Sequence, residues 1–184
     1  MNIIVNNYEK EFIIKKSKFI VLLCKVNSKA DVKNKIDDIK LKYKKATHYC
    51  YAYKLDNSYI FNDDGEPSGS AGLPIYNAID KYNLVNVLCV VIRYFGGVKL
   101  GLGLLSRTYF KVVNSTLKET EIIENIIYKI IKINFNYDSI DKIDYIVKDY
   151  IMEKEFNENI SYTLKIPDNL YESIIEKIKD DIKF

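Results

Sequence analysis

The 184-residue chain has no tryptophan, one histidine, three prolines, three cysteines and seven glycines. Each scarcity excludes something. Cys24, Cys50 and Cys89 are odd in number, widely spaced and set in apolar or alternating runs, so neither a disulfide framework nor a Cys-x-x-Cys metal knuckle is present. They read as buried free thiols. No stretch reaches the roughly 18 continuous apolar residues of a membrane span. The N-terminal MNIIVNNYEKEF lacks the basic region, apolar run and small-residue cleavage site of a secretory signal. The expectation is a soluble, cytoplasmic protein with no membrane contact. Low-complexity segments and internal repeats are also missing, and the length suits one domain of about 120 residues plus a smaller one.

What is present is unevenly placed. Residues 1–125 hold 19 Lys or Arg against 13 Asp or Glu, whereas residues 126–184 hold 9 against 12. The first part is therefore basic, which is consistent with a polyanion partner such as RNA, although a charge of this size reads first as a solvated surface. All seven glycines fall in two segments, DDGEPSGSAGLP (63–74) and GGVKLGLG (96–103).

The pattern around those segments is regular. FIVLLCKV (19–26) and the alternating ATHYCYAYKLD (46–56) read as strands, with Tyr49, Tyr51, Tyr53 and Leu55 on one face and His48, Cys50, Ala52 and Lys54 on the other. Between them Ser28 and Asp31 resemble a capping arrangement, and Val32, Ile36, Ile39 and Tyr43 recur at helical spacing. A second helix begins at the first glycine segment, with Pro74 in its opening turn and Ile75, Ala78, Ile79 and Tyr82 as its stripe. LVNVLCVVIRYF (84–95) predicts a central strand covered on at least one face. From Gly103, Leu105, Tyr109, Val112, Val113 and Leu117 predict a third helix. The tail from Ile126 reads as strand, helix (138–149), two strands and helix (168–180), a ferredoxin-like βαββα order for whose last strand only DIKF remains. The fold class is thus α+β in two closely joined domains, 1–122 and 126–184.

The glycine segments carry the chemistry. Gly65, Gly69 and Gly72 in the first, and Gly96, Gly97, Gly101 and Gly103 in the second, let successive N–H groups turn inward at a helix start as an anion cradle. If the segments meet, Arg93, Lys99 and Arg107 face Asp63, Asp64 and Glu66, carboxylates that need cations or solvent. The duller reading is a pair of tight turns. No metal or cofactor is expected, because three carboxylates need further ligands to make a divalent site. His48 reads as a packed strand residue before it reads as a general base. Ser68 and Ser70 have no nucleophile-elbow context and serve better as helix caps. GGVKLGLG lacks the G-K-[ST] ending of a Walker loop, and Gly101-x-Gly103-x-x-Ser106 lacks the third glycine of a dinucleotide fingerprint, which leaves only a weaker nucleotide site open. The 16 tyrosines offer stacking surfaces for RNA bases, though a Tyr stripe on a strand reads first as sheet face.

ATHYCYAY, DDGEPSGSAGLPI and VVIRYFGGVKLGLGLLSRTY together resemble the signature of the IMPACT family, including its bacterial YigZ-type members. The motif falls on His48, on the acidic segment from Asp63 through Glu66 to Ser68, Gly69 and Gly72, and on Arg93, Tyr94, Gly96, Gly97, Gly101 and Arg107. The resemblance implies an N-terminal α/β domain similar to the second domain of a small-subunit ribosomal protein and a C-terminal domain similar to an elongation-factor G module. It also implies a link to translation, with RNA, the ribosome or a translation factor as partner. On this reading Arg93, Lys99 and Arg107 contact an anionic partner, the glycine amides orient it, and His48, Asp63, Asp64, Glu66, Ser68, Ser70 and Tyr94 complete the surface. The alternative is a small metal-dependent hydrolase or phosphotransfer enzyme using the acidic segment and His48. Leu104, Ser106 and Thr108 depart from the family pattern, and a side chain at Leu104 is expected to narrow any cleft beside that helix start. The tail also runs short of the family's, so its last strand is expected to be truncated or missing.

Overall fold

The computed structural model describes residues 1–183. Its first unit, Met1–Asn125, runs β1 (Asn2–Ile4), β2 (Tyr8–Ile14), β3 (Ser17–Lys25), α1 (Lys29–Lys42), β4 (His48–Leu55), β5 (Ser58–Asn62), α2 (Gly72–Lys81), β6 (Val87–Tyr94), α3 (Leu102–Leu117) and β7 (Ile122–Glu124). An antiparallel sheet has the order β2-β3-β6-β4-β5, and β1 pairs separately with β7.

The apolar run of residues 84–95 supplies the middle strand. Side chains alternate across a strand, so Val87, Cys89 and Val91 pack with Ile75, Ala78 and Ile79 of α2 and Tyr109 and Val112 of α3. Leu88, Val90 and Ile92 pack on the other side with Val32 and Ile39 of α1. Both faces are covered, which is why β6 shows no polar alternation. β4 is divided likewise: Cys50 and Ala52 join the α2/α3 layer, while Tyr49, Tyr51, Tyr53 and Leu55 join the α1 layer. The tyrosine stripe is sheet face.

Local signals fix the helix starts. Ser28 Oγ accepts the Asp31 N–H at 3.1 Å to cap α1, whose last turn carries Lys40 and Lys42 at the negative end of the helix dipole. α3 begins after Gly101, whose φ of 75° lies in the left-handed region, and no side chain caps it. Before it, Gly96 passes so close to the β2–β3 turn that a Cβ there would lie 2.0 Å from the Lys16 carbonyl oxygen.

The second unit, from Ile126, runs β8 (Tyr128–Phe135), α4 (Ile140–Val147), β9 (Ile151–Phe156), β10 (Ile160–Pro167), α5 (Asp168–Ile178) and β11 (Ile182–Lys183). Its antiparallel sheet has the order β11-β8-β10-β9. Ile133, Phe135, Tyr162 and Leu164 form its core with Ile143 and Val147 of α4 and Ile174 and Ile178 of α5. The DIKF segment does supply the last strand of the ferredoxin-like order: Ile182 pairs with Phe135 and Lys183 with Asn134. The strand is short but present, and Phe184 lies outside the described residues. Among the described residues no helix is long and apolar enough to cross a membrane.

Candidate functional site

The first glycine segment is folded around one of its own carboxylates. Asp63 Oδ1 accepts N–H bonds from Ala71 (2.9 Å) and Gly72 (2.8 Å), and Oδ2 accepts one from Gly69 (2.8 Å). The anion received by this amide cradle is therefore Asp63 itself. That corrects the expectation of an open cradle here, and also that of a serine cap: Ala71 occupies the cap position of α2 without a side-chain bond, and a carboxylate reaching from eight and nine residues back does the work. Ser70 Oγ donates to the Pro67 carbonyl (2.6 Å), and Ser68 is exposed. Asp64, in the left-handed region at φ 43°, accepts the Tyr49 N–H (2.6 Å) and offers its carbonyl to His48 Nδ1 at 2.8 Å. Among the described residues, Glu66 alone of the three carboxylates meets a cation, and the other two accept backbone N–H bonds.

Strand register brings the rest together. Arg93 near the end of β6 pairs directly with His48 on β4 and Phe19 on β3, so the three side chains lie in a row across one sheet face. Glu66 drops onto this row. Its Oε1 accepts from Arg93 Nη1 (2.5 Å) and Tyr109 Oη (2.8 Å), and its Oε2 lies 3.8 Å from His48 Nε2. Arg93 and Glu66 are both buried, and the guanidinium sits over Phe19 and Phe95 at 5.4 and 5.5 Å from their ring centroids. Because a carbonyl can only accept, the His48 Nδ1 contact places a proton on Nδ1, and in the neutral ring the lone pair is then on Nε2. Behind the pair, the Cys50 thiol donates to the Asp63 carbonyl (2.9 Å) and lies 3.4 Å from Tyr109 Oη. Burial pushes that thiol up to about 12 and drives the Tyr109 phenol well above its ordinary range.

A cleft of about 440 Å³ opens over this row. His48, Glu66 and Arg93 form part of its wall with Thr47 and Pro67, and the second glycine segment forms the rest through Phe95, Lys99, Leu100, Gly101, Leu102 and Leu105. The two segments thus meet, as a single site requires. Lys99 is exposed at its edge and makes no ion pair among the described residues. Leu104 is not in the cleft wall, because each helical step turns about 100° and directs it away from Leu102 and Leu105. Arg107 lines a different groove with Pro74, Asn77, Ser106, Phe110 and Lys111, yet it folds back over the first turn of α3: a Cβ at Gly103 would lie 3.6 Å from Arg107 Nη1. Tyr94 points to the α1 layer, where its hydroxyl donates to the Lys44 carbonyl at 3.3 Å. Gly69 and Gly97 have φ of 72° and 83° and shape their turns. Sequence reasoning missed Cys50, Tyr109, Thr47 and the apolar wall. Tyr109 carried a usable signal, since a tyrosine inside an apolar helical stripe needs a partner for its hydroxyl.

Residues 15–117 match the family model described as the Impact N-terminal domain. The chain is similar to the IMPACT family member YvyE of Bacillus subtilis, 36% identical over 84% of this chain and 74% of that one. It is also similar to an IMPACT family member of Haemophilus influenzae, 30% identical over 94% of this chain and 87% of the relative. YigZ of Escherichia coli is 33% identical over 58% of this chain and 54% of its own. One crystal structure of a hypothetical protein superposes with a TM-score of 0.67 at 24% identity, covering 97% of this chain and 91% of that one, and so shares the fold. The two-domain translational regulator Yih1 covers 63% of this chain and 44% of its own at 25% identity, with a TM-score of 0.35, too loose a superposition to bear on the site. The segment matched by the family model contains every element that builds the cleft, from β3 to α3, and the chain belongs to the IMPACT family.

Proposed function

We propose that the protein is a translation-linked binding protein of the cytoplasm, and that its cleft receives a phosphate-bearing partner, the RNA of the translation machinery. The observation that carries this reading is the convergence at the start of α3. Lys99, which makes no ion pair among the described residues, stands beside an uncapped helix N-terminus, Arg107 folds over the same first turn from its flank, and Arg93, paired with Glu66, lies in the wall. Free N–H groups and the positive end of the helix dipole favour an anion at such a place. The family resemblance supplies the link to translation. The domain 1–122 would carry this activity.

The metal-dependent enzyme reading has less support. Asp63 and Asp64 already accept backbone N–H bonds, Glu66 is held by Arg93 and Tyr109, and no group of three or more His, Cys, Asp or Glu side chains among the described residues is arranged to hold a metal. Cosedimentation with ribosomes and with free RNA across a salt series tests the proposal. Wild type should pellet in a salt-sensitive manner. The K99Q/R107Q variant, altered only at exposed positions, should bind more weakly, with a slope of log affinity against log salt shallower by about 1–2. Equal binding by the variant at every salt concentration sinks the site assignment.

A further inference from the structure

The cleft is larger and more varied than a phosphate contact needs. Its volume of about 440 Å³ lies within the roughly 300–1,000 Å³ typical of small-molecule sites. Its two ends differ in chemistry. At the mouth are Lys99 and the uncapped start of α3, flanked by the exposed Phe95 and Leu102. At the inner end are groups with unused hydrogen-bonding capacity of both kinds.

Arg93 is 5% exposed, and its Nε is buried with no hydrogen-bond partner among the described residues. The Thr47 hydroxyl accepts the Phe95 N–H at 3.0 Å and keeps its own proton to donate. Glu66 Oε2 accepts no hydrogen bond among the described residues, and His48 Nε2 lies 3.8 Å from it, beyond hydrogen-bond distance. In the neutral ring His48 Nε2 carries a lone pair, because Nδ1 holds the proton. A phosphodiester group offers acceptors only and would meet the Glu66 carboxylate here. A nucleobase edge offers donors and acceptors side by side.

We infer that the cleft receives one unstacked nucleotide, its phosphate at the start of α3 beside Lys99, its base against Phe95, and its hydrogen-bonding edge toward Thr47, His48, Glu66 and Arg93. The two acceptors, Glu66 Oε2 and His48 Nε2, call for a donor on that edge. An exocyclic amino group, as on adenine, offers two N–H bonds to this pair of acceptors, whereas uracil has only its N3–H, so adenine binds more tightly than uracil. This rests on the reading that the cleft takes a phosphate-bearing partner, and it specifies what enters.

The absence of tryptophan supplies the test. In F95W a single indole stands in the cleft wall, and a base stacked on it quenches its fluorescence. Adenosine 5′-monophosphate, uridine 5′-monophosphate, inorganic phosphate and a short adenine-rich single-stranded oligoribonucleotide are titrated into F95W and F95W/K99Q. The same ligands are titrated by calorimetry into the wild-type chain, in case the substitution damages the cleft. Saturable quenching by the adenine ligands is expected, weaker with uridine monophosphate. Phosphate should compete without quenching, and K99Q should weaken binding about tenfold. A free nucleotide binding as tightly as the oligonucleotide identifies the mononucleotide as the ligand; a much tighter oligonucleotide identifies one residue of an RNA strand. If no nucleotide binds either protein at millimolar concentration while wild type still pellets with ribosomes, the nucleotide inference is overturned and the translation reading survives. Nucleotide binding without ribosome or RNA pelleting has the opposite meaning. Binding indifferent to K99Q overturns the placement of the phosphate.

Discussion

At the residue scale the site depends on one buried ion pair. Arg93 and Glu66 approach to 2.5 Å with both side chains about 5% exposed, and Tyr109 adds a second donor to the same carboxylate oxygen. Taking two charges out of water costs several kcal/mol per ion, which their attraction and added hydrogen bonds must offset. Removing one partner strands the other. E66A should therefore lower stability by about 3–5 kcal/mol, measured as a shift in the urea midpoint. An unchanged midpoint would mean that the guanidinium finds water once the carboxylate is gone. Cys50 gives a pH signature. Its thiol rises from an ordinary value near 9.0 to about 12 in the fold, so the unfolded chain ionises it first and the folded chain holds the extra proton. The stability linked to Cys50 is complete below about pH 8.5 and is lost as pH climbs from there to about 12. The fall in urea midpoint between pH 8.5 and 10.5 should be shallower in C50A than in wild type, and equal slopes would remove Cys50 from the account.

At the scale of elements, the start of α2 is held from outside the helix. In D63N an NH2 group replaces one carboxylate oxygen, so at least one of the three backbone N–H groups that Asp63 accepts faces a donor and loses its acceptor. A loss of about 1–3 kcal/mol is expected, seen as a lower midpoint by circular dichroism, and full stability in D63N would show that water satisfies those amides. Gly96 is a second fixed point: G96A puts a methyl group into the Lys16 carbonyl and should cost about 1–3 kcal/mol through forced backbone shifts.

The same elements explain what the sequence revealed. β6, α2, α3 and the capped α1 were legible because burial on a face or a helical stripe imprints its period on the residues. β2 and β5 were not. They are the sheet's two edge strands: in YEKEFII burial alternates, but Lys10 sits on the covered face and Ile13 on the exposed one, and SYIFN is exposed almost throughout. At the site, composition located both glycine segments; of the charges expected to face one another if the segments met, Glu66 and Arg93 form the buried pair. Composition did not reveal that Asp63 fills its own amide cradle, since a carboxylate capping a helix eight or nine residues away leaves no local pattern. Nor did it separate Arg107 from the cleft, a matter of a fraction of a helical turn.

At the scale of the whole molecule, the chain divides after Asn125, and the basic excess lies entirely before that point. The first unit has its own two-layered core on either side of β6. A fragment of residues 1–125 should unfold in one cooperative transition and keep the binding of the full chain, whereas a fragment that fails to fold would make the second unit part of the site's support. The central claim concerns the start of α3, and amide chemical-shift mapping of the ¹⁵N-labelled full chain during titration with a single-stranded oligoribonucleotide reads it directly. Shifts should concentrate at Phe95, Lys99 and Gly101–Gly103 and at the Arg93 Nε–H, leaving β5 and the second unit still. Perturbation confined to Arg107, Lys111 and the α2–α3 groove, with the Arg93 Nε–H unmoved, would contradict it.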